Sequence, residues 1–335
     1  MKSNVIAIDI GSANTNVYKL GEGIVLFEAS AIALSTAQRG KIKAVGDNAK
    51  RLHGRTAGTS AVIFPIVEGQ VADEKSATLM LENFINKITL SRFGFRPQAV
   101  VAVRCGLESV EIKKFENMLK SVGIYSTSFI ESPILTALGL NVPISESTPC
   151  FIVDIGGGTT NIAAVSLDGV ICGLSIDIGG KVLDNMIFEY ISEQKNLKIG
   201  TATAEKIKIE IGSLIKGDEQ VISVNGGNTQ TGKPTTVSIT SSELRPVVSI
   251  FFNKIFEYIE MVIAKLPAEV AAEIRSSGIY FAGGTSKIPG LEYYAKEKLA
   301  INATCFDNPE NATVVGGGIV AGDKNLLKRL RIQKR

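Results

Sequence analysis

Asp154-Ile-Gly-Gly-Gly-Thr-Thr-Asn161 follows three apolar residues, Phe151, Ile152 and Val153, that read as a buried strand. Its three glycines let the backbone turn tightly and approach a ligand with no Cβ in the way. Successive N–H groups in such a turn form a concavity suited to phosphate oxygens. Asp154 stands at the strand end, where a carboxylate can hold a hydrated metal ion or orient water. Taken alone, the stretch also reads as a plain hairpin with a structural Asp.

It is not alone. About 145 residues earlier the chain reads Asp9-Ile-Gly-Ser-Ala-Asn-Thr-Asn16. Both copies carry Asp-Ile-Gly and then Thr-Asn at the same offset, Thr15-Asn16 and Thr160-Asn161. Each continues into an apolar strand, Val17 to Leu20 and Ile162 to Val165, then a turn and a further strand. A long-period repeat reads as two similar domains. Two copies of one phosphate turn predict a ligand clamped between the halves.

Composition agrees. The 335 residues suit two domains, and 45% hydrophobic with 21% charged residues indicate a globular chain. A net charge of +3 gives no case for nucleic acid. Cys105, Cys150, Cys172 and Cys305 have no metal or redox spacing and read as reduced thiols of a cytoplasmic protein. His53, the single histidine, reads as an ordinary loop residue and argues against a His-based triad or a multi-His metal site. No signal peptide is expected, because an apolar strand begins at once and runs into Asp9. No apolar run reaches membrane-spanning length.

Strands alternate with helices along the chain, which predicts an α/β class. Asp73 is placed to cap a helix running to about Thr89, with Ala77, Met80, Leu81 and Phe84 on one face. Further helices are expected over Asn48 to Leu52, Ser109 to Val122 and Ile134 to Leu140, the last opened by Ser132-Pro133. Gly179-Gly180 opens another, from about Lys181 to Glu193. Thr203 is expected to cap a helix carrying Glu205, Lys208 and Ser213. Glu219 to Val224 and Thr235 to Ile239 read as a hairpin, and Ser241 or Ser242 as the cap of a long helix to about Lys265. Gly283-Gly-Thr-Ser286 is a third glycine turn after a strand, suited to an anion. Glu205 and Lys208 share a helix face; a surface ion pair and a place beside a base and ribose both remain open. Gly316-Gly-Gly318 reads as a packing feature.

Two Asp-Gly turns, a Gly-Gly-x-Ser turn and a helix with Glu and Lys resemble the pattern of the actin-like ATPases. Within them the chain is similar to the MreB-like bacterial actins. The motifs are Asp9-Ile-Gly-Ser-Ala-Asn-Thr15, Gly54-Arg-Thr56, Val71-Ala-Asp73, Asp154-Ile-Gly-Gly-Gly-Thr-Thr160 and Thr203-Ala-Glu-Lys-Ile-Lys-Ile-Glu-Ile-Gly212. They extend over nearly the whole chain. The resemblance implies a duplicated actin-like (RNase H-like) fold of two domains, each with a subdomain, around a nucleotide cleft. The first would span about 1–140, with a small subdomain at about 31–74. The second would span about 141–335, with a small subdomain at about 181–240, and the segment from about 310 would pack back on the first.

By the same resemblance, Ser12, Ala13 and Asn14 with Gly157, Gly158 and Thr159 would hold the phosphates of ATP. Glu205, Lys206, Ile207 and Lys208 would face the adenosine, with Gly284, Thr285 and Ser286 behind it. Asp9 and Asp154 would orient hydrated Mg2+ through water, and Asp154 and Thr159 would serve catalysis. The implied partners are copies of itself in a filament, the inner membrane surface and cell-wall or morphogenesis proteins. The loop Arg92-Phe-Gly-Phe-Arg96 would bring Phe93 and Phe95 to the membrane, with cations of the tail from Lys324 meeting headgroups.

Three departures bear on activity. The family usually has Glu-Glu-Pro where this chain has Glu131-Ser132-Pro133. Ser132 therefore occupies the place of the water-activating carboxylate, and serine is a poor general base. Glu131 is the doubtful substitute, one residue away. Val103-Arg-Cys-Gly106 replaces Val-Pro-x-Gly, and Asn161 replaces a usual Glu. The reading is a divergent paralogue with slow ATP hydrolysis. Two alternatives stand beside the filament protein. A monomeric kinase of the superfamily needs a catalytic base and a sugar pocket, neither of which can be placed. A nucleotide-binding adaptor like FtsA has a substituted subdomain, which Gly54-Arg-Thr56 argues against.

Overall fold

The two Asp-Gly hairpins nucleate two sheets of one topology. The computed structural model describes residues 4–38, 40–55, 58–88 and 97–332. In the first sheet Val5–Ile10, Asn14–Lys19 and Gly23–Ala29 run as an antiparallel meander. Gln98–Val103 and then Ser126–Glu131 add in parallel beside Val5–Ile10. The second sheet repeats this order with Cys150–Ile155, Thr160–Ser166 and Gly169–Ile176, then Ile279–Ala282 and Ala303–Cys305. Register repeats too. Asp9 lies opposite Asn16 on one side and Ala102 on the other, and Asp154 lies opposite Asn161 and Ala282. The sequence repeat is thus a structural duplication, and the fold is the expected actin-like one.

The first strand of each repeat is apolar almost throughout because helices cover both faces. Cys150 to Val153 are all buried, as are Ile6 to Ile8. Between the sheets, helices Ser132–Gly139 and Ala312–Gly322 pack at close range. A Cβ at Gly139 would lie 1.8 Å from the Ala312 carbonyl oxygen, and one at Gly316 equally close to that of Leu135. Glycine is what lets these backbones touch, so the Gly316-Gly-Gly318 run does serve packing. Helix Lys324–Leu330 follows, with Leu330 buried, and the Ile332 N–H bonds to the Phe129 carbonyl at 2.9 Å. Lys324, Lys328 and Arg329 remain exposed, Arg329 pairing with Asp168 at 3.0 Å.

Each large sheet carries a smaller one. Ile32–Ser35 pairs with Ile42–Val45 and Ser60–Ile63, and Val221–Asn228 pairs with Leu197–Lys198 and Pro234–Thr240.

Asp73 caps helix Glu74–Lys87, accepting from the Ser76 N–H at 3.0 Å, and Ala77, Met80, Leu81 and Phe84 are buried. The helix closes at Lys87; Thr89 lies outside the described residues. Two caps differ from expectation. Helix Thr201–Ile211 starts two residues before Thr203, after Gly200, and stops at Gly212, so Ser213 lies beyond it. The long helix Ser241–Ala264 is capped by Thr240, not Ser241 or Ser242. Thr240 and Glu243 form a reciprocal capping box, which satisfies two end N–H groups at once. Among the described residues, no helix is long and apolar enough to cross a membrane.

Candidate functional site

The two glycine turns lie back to back at the floor of a cleft of about 740 Å³. Each is closed by the same bond, Gly11 N–H to the Asn14 carbonyl at 3.0 Å and Gly156 N–H to the Thr159 carbonyl at 2.9 Å. The turns touch: a Cβ at Gly157 would lie 2.3 Å from the Ala13 Cβ, and one at Gly158 would lie 2.6 Å from the Ser12 Cβ. Glycine on one turn makes room for the other. Ser12, Ala13, Asn14, Gly157, Gly158 and Thr159 therefore line one continuous floor. The Ser12 hydroxyl oxygen accepts from the Gly69 N–H at 3.0 Å, which fixes its orientation.

Asp9 and Asp154 stand next to last in the corresponding strands of the two sheets, Val5–Ile10 and Cys150–Ile155, and also line the cleft. Burial, with the Asp154 charge beside it, pushes the Asp9 carboxyl up to about 7. Burial pushes Asp154 up to about 6, opposed by the Thr313 and Thr136 hydroxyls, each 3.4 Å from its Oδ2. Two buried like charges are costly unless a cation joins them. Mg2+ commonly binds one or two carboxylates and completes its shell with phosphate and water. The described residues contain no group of three or more metal-ligating side chains, so an all-protein cage is not on offer. The pair of carboxylates under a phosphate-shaped floor fits a hydrated Mg2+ shared with a nucleotide.

The third turn, Gly283-Gly-Thr-Ser286, closes the rear wall. It opens a short 3-10 helix, Gly284–Lys287, rather than an α-helix. A Cβ at Gly283 would lie 2.5 Å from Asp154 Oδ1. Gly284 and Thr285 line the cleft, and the Thr285 hydroxyl donates to the Gly156 carbonyl at 3.1 Å. Ser286 does not line it; its hydroxyl donates to the Gly283 carbonyl at 2.8 Å and holds the turn.

Helix Thr201–Ile211 forms the opposite wall with Glu205 and Lys208, three residues apart on the cleft-facing side. Its other faces look elsewhere. Ile207 is buried in the hydrophobic core, and Lys206 is exposed and pairs with Glu210 at 3.6 Å. Lys208 pairs with Asp184 at 2.8 Å, and Glu205 with Lys50. Glu131 lies outside the cleft lining. Its carboxylate accepts from the Gly106 N–H at 2.9 Å and braces the loop after Gln98–Val103. Ser132 does line the cleft, its hydroxyl donating to the Val103 carbonyl at 3.0 Å. Phe93 and Phe95 lie outside the described residues.

Several cleft residues have no local motif. Lys181 donates to the Ser12 carbonyl at 2.7 Å and stacks over the Phe64 ring at 5.0 Å. Burial, aided by Lys50, holds its ammonium below the usual lysine value. Lys50, Arg104, Asp184 and Thr313 line the cleft from four separate segments, and Thr136 reaches Asp154 from behind the lining. The helix opened by Gly179-Gly180 was the one available signal for Lys181 and Asp184.

The model of the family described as MreB/Mbl protein matches residues 3–329. The chain belongs to the MreB/Mbl family. It is 35% identical to the cell shape-determining protein MreB of Escherichia coli K12, over 95% of this chain and 93% of that one. It is 31% identical to the cell shape-determining protein Mbl of Bacillus subtilis 168, over 98% of each. Among solved structures, MreB5 of Spiroplasma citri bound to ADP superposes with a TM-score of 0.91 at 28% identity, covering 97% of both chains. MamK in a double helical filament gives 0.79 at 21% identity, covering 95% of this chain and 98% of that one, and shares the fold. MreB/Mbl membership agrees with the Asp-Gly duplication on which the cleft is built.

Proposed function

We propose that this chain binds ATP with Mg2+ in the cleft and assembles with its own copies into filaments that organise cell shape and cell-wall synthesis. The observation that carries the reading is the back-to-back pair of glycine turns above Asp9 and Asp154. In this reading it would serve as one phosphate floor and one cation site. The crystallised Spiroplasma relative bound to ADP, and the same protein bound to AMPPNP, support a nucleotide here. The MamK filament and the names of the curated relatives support assembly and cell shape.

In this reading Ser12 to Asn14 and Gly157 to Thr159 hold phosphates through backbone N–H groups. Asp9 and Asp154 are the residues that would hold a hydrated Mg2+, which would supply positive charge against the phosphates. Glu205 and Lys208 flank the adenosine, backed by Gly284 and Thr285. Thr159 positions the attacking water. Ser132, not a carboxylate, directly precedes Pro133, and its hydroxyl is already committed to the Val103 carbonyl. Hydrolysis is therefore slow.

The filaments lie in the cytoplasm against the inner face of the membrane, where they meet cell-wall or morphogenesis proteins. Phe93 and Phe95, with Lys324 and Lys328 of the tail, are the proposed contacts. Each cation near an anionic surface contributes about 1 kcal/mol, and assembly multiplies such weak attachments. Electron microscopy of the purified chain tests the assembly. Filaments with Mg-ATP and none with EDTA are expected; dispersed particles in every condition would overturn it.

A further inference from the structure

Arg104 is a cleft cation outside the three glycine turns, and it stands in Val103-Arg-Cys-Gly106 where the family usually has Pro. It follows strand Gln98–Val103, which lies beside the Asp9 strand, with Ala102 opposite Asp9 itself. Its Nη1 donates to the Glu68 carbonyl at 3.2 Å and lies 3.2 Å from Asp177 Oδ1. Its Nε is buried and has no hydrogen-bond partner among the described residues.

The surroundings say which end of the cleft this is. Glu68 and Gly69 form a tight turn, both with positive φ, and the Gly69 N–H donates to the Ser12 hydroxyl oxygen. A Cβ at Gly69 would have the Arg104 Cδ 3.4 Å away and the Thr159 methyl 3.6 Å away. Arg104 therefore shares a corner with one residue from each phosphate turn. Other cations of the cleft are engaged: Lys50 with Glu205, Lys208 with Asp184, Lys287 with Glu310, and Lys181 with the Ser12 carbonyl. The Arg104 guanidinium is a planar fork that matches phosphate oxygens, and its bonds to Glu68 and Asp177 both run through Nη1.

We propose that Arg104 is a positioning residue that reads the terminal phosphate of the bound nucleotide and so favours triphosphate over diphosphate. The inference rests on the cleft being a nucleoside-triphosphate site. A terminal phosphate adds negative charge and acceptor oxygens at the end where Arg104 stands. A diphosphate leaves the guanidinium with its present partners, Glu68 and Asp177. Discrimination comes from the difference between these two states.

Calorimetry on the full chain with Mg-AMPPNP and Mg-ADP tests this. Arg104→Met is expected to weaken AMPPNP binding about tenfold while ADP binding stays within about twofold. Arg104→Lys, which keeps the charge, should recover part of the loss. Asp177→Asn should keep or increase the preference for AMPPNP, since it frees the guanidinium. Unchanged ADP binding in Arg104→Met also shows that the variant is folded. Equal loss of both nucleotides, or loss of neither, would overturn the assignment. So would an Asp177→Asn variant that loses both, which would make the pair a clamp between domains. Failure of the unmutated chain to bind either nucleotide would instead overturn the nucleotide reading.

Discussion

Lys50 and Glu205 meet across the mouth of the cleft, the Lys50 Nζ standing 2.8 Å from each carboxylate oxygen. Lys50 belongs to helix Asp47–Leu52 beside one small sheet, Glu205 to helix Thr201–Ile211 beside the other. The pair ties together the two walls between which the nucleotide is proposed to bind. Their side chains are 39% and 31% exposed, so solvent screens the attraction. Exposed pairs contribute up to about 1 kcal/mol, or about fivefold in a rate. Lys50→Ala should speed release of a fluorescent ATP analogue by about two- to fivefold. High salt should produce much of the same effect in the unmutated chain. A release rate unchanged in both experiments would show that the pair does not gate the cleft.

Ser132→Glu should raise phosphate release from assembled protein, because it restores a carboxylate at a cleft-lining position. Glu131→Gln should change turnover little, since the Glu131 carboxylate is held by the Gly106 N–H away from the lining. Brisk turnover in the unmutated chain that Glu131→Gln abolishes would reverse these roles.

Much of this site was legible as sequence because phosphate turns are local. Asp9-Ile-Gly and Asp154-Ile-Gly carry strand, turn and carboxylate within a few residues, and their repetition announced the duplicated sheets. Gly283-Gly-Thr285 was legible for the same reason. The rest depends on neighbours distant in sequence. Lys181 meets Ser12 across 169 positions. Thr136 and Thr313 converge on Asp154 from helices that glycines allow to touch. Which face of Thr201–Ile211 meets the cleft follows from packing, so a run of four residues from Glu205 to Lys208 was too generous. Glu205 and Lys208 face in, while Ile207 and Lys206 do not.

Acid should weaken the helix Glu74–Lys87 through its cap. The Ser76 N–H, chief among several contacts, holds the Asp73 carboxyl below its ordinary value of 3.8. Its folded value is the lower one. The cap therefore contributes fully above the unfolded value, and the contribution is lost as pH falls through the folded value. Asp73→Ala should cost about 1 kcal/mol at pH 7 and less at pH 3. Urea midpoints at the two pH values read the difference; a penalty that grows in acid would rule the cap out.

Attachment to membranes should depend on Phe93 and Phe95. The double variant Phe93→Ser with Phe95→Ser should fail to sediment with anionic liposomes while still assembling with ATP. Sedimentation equal to that of the unmutated chain would place the anchor elsewhere.

Asp9 and Asp154, beside the two glycine turns, are proposed to form the magnesium-nucleotide site. Titration calorimetry of the unmutated chain and Asp154→Ala with ATP, with and without Mg2+, tests it most directly. Binding should strengthen with Mg2+ in the unmutated chain, and Asp154→Ala should remove that gain. An Asp154→Ala variant that binds Mg-ATP as tightly as the unmutated chain, with the same dependence on Mg2+, would contradict it.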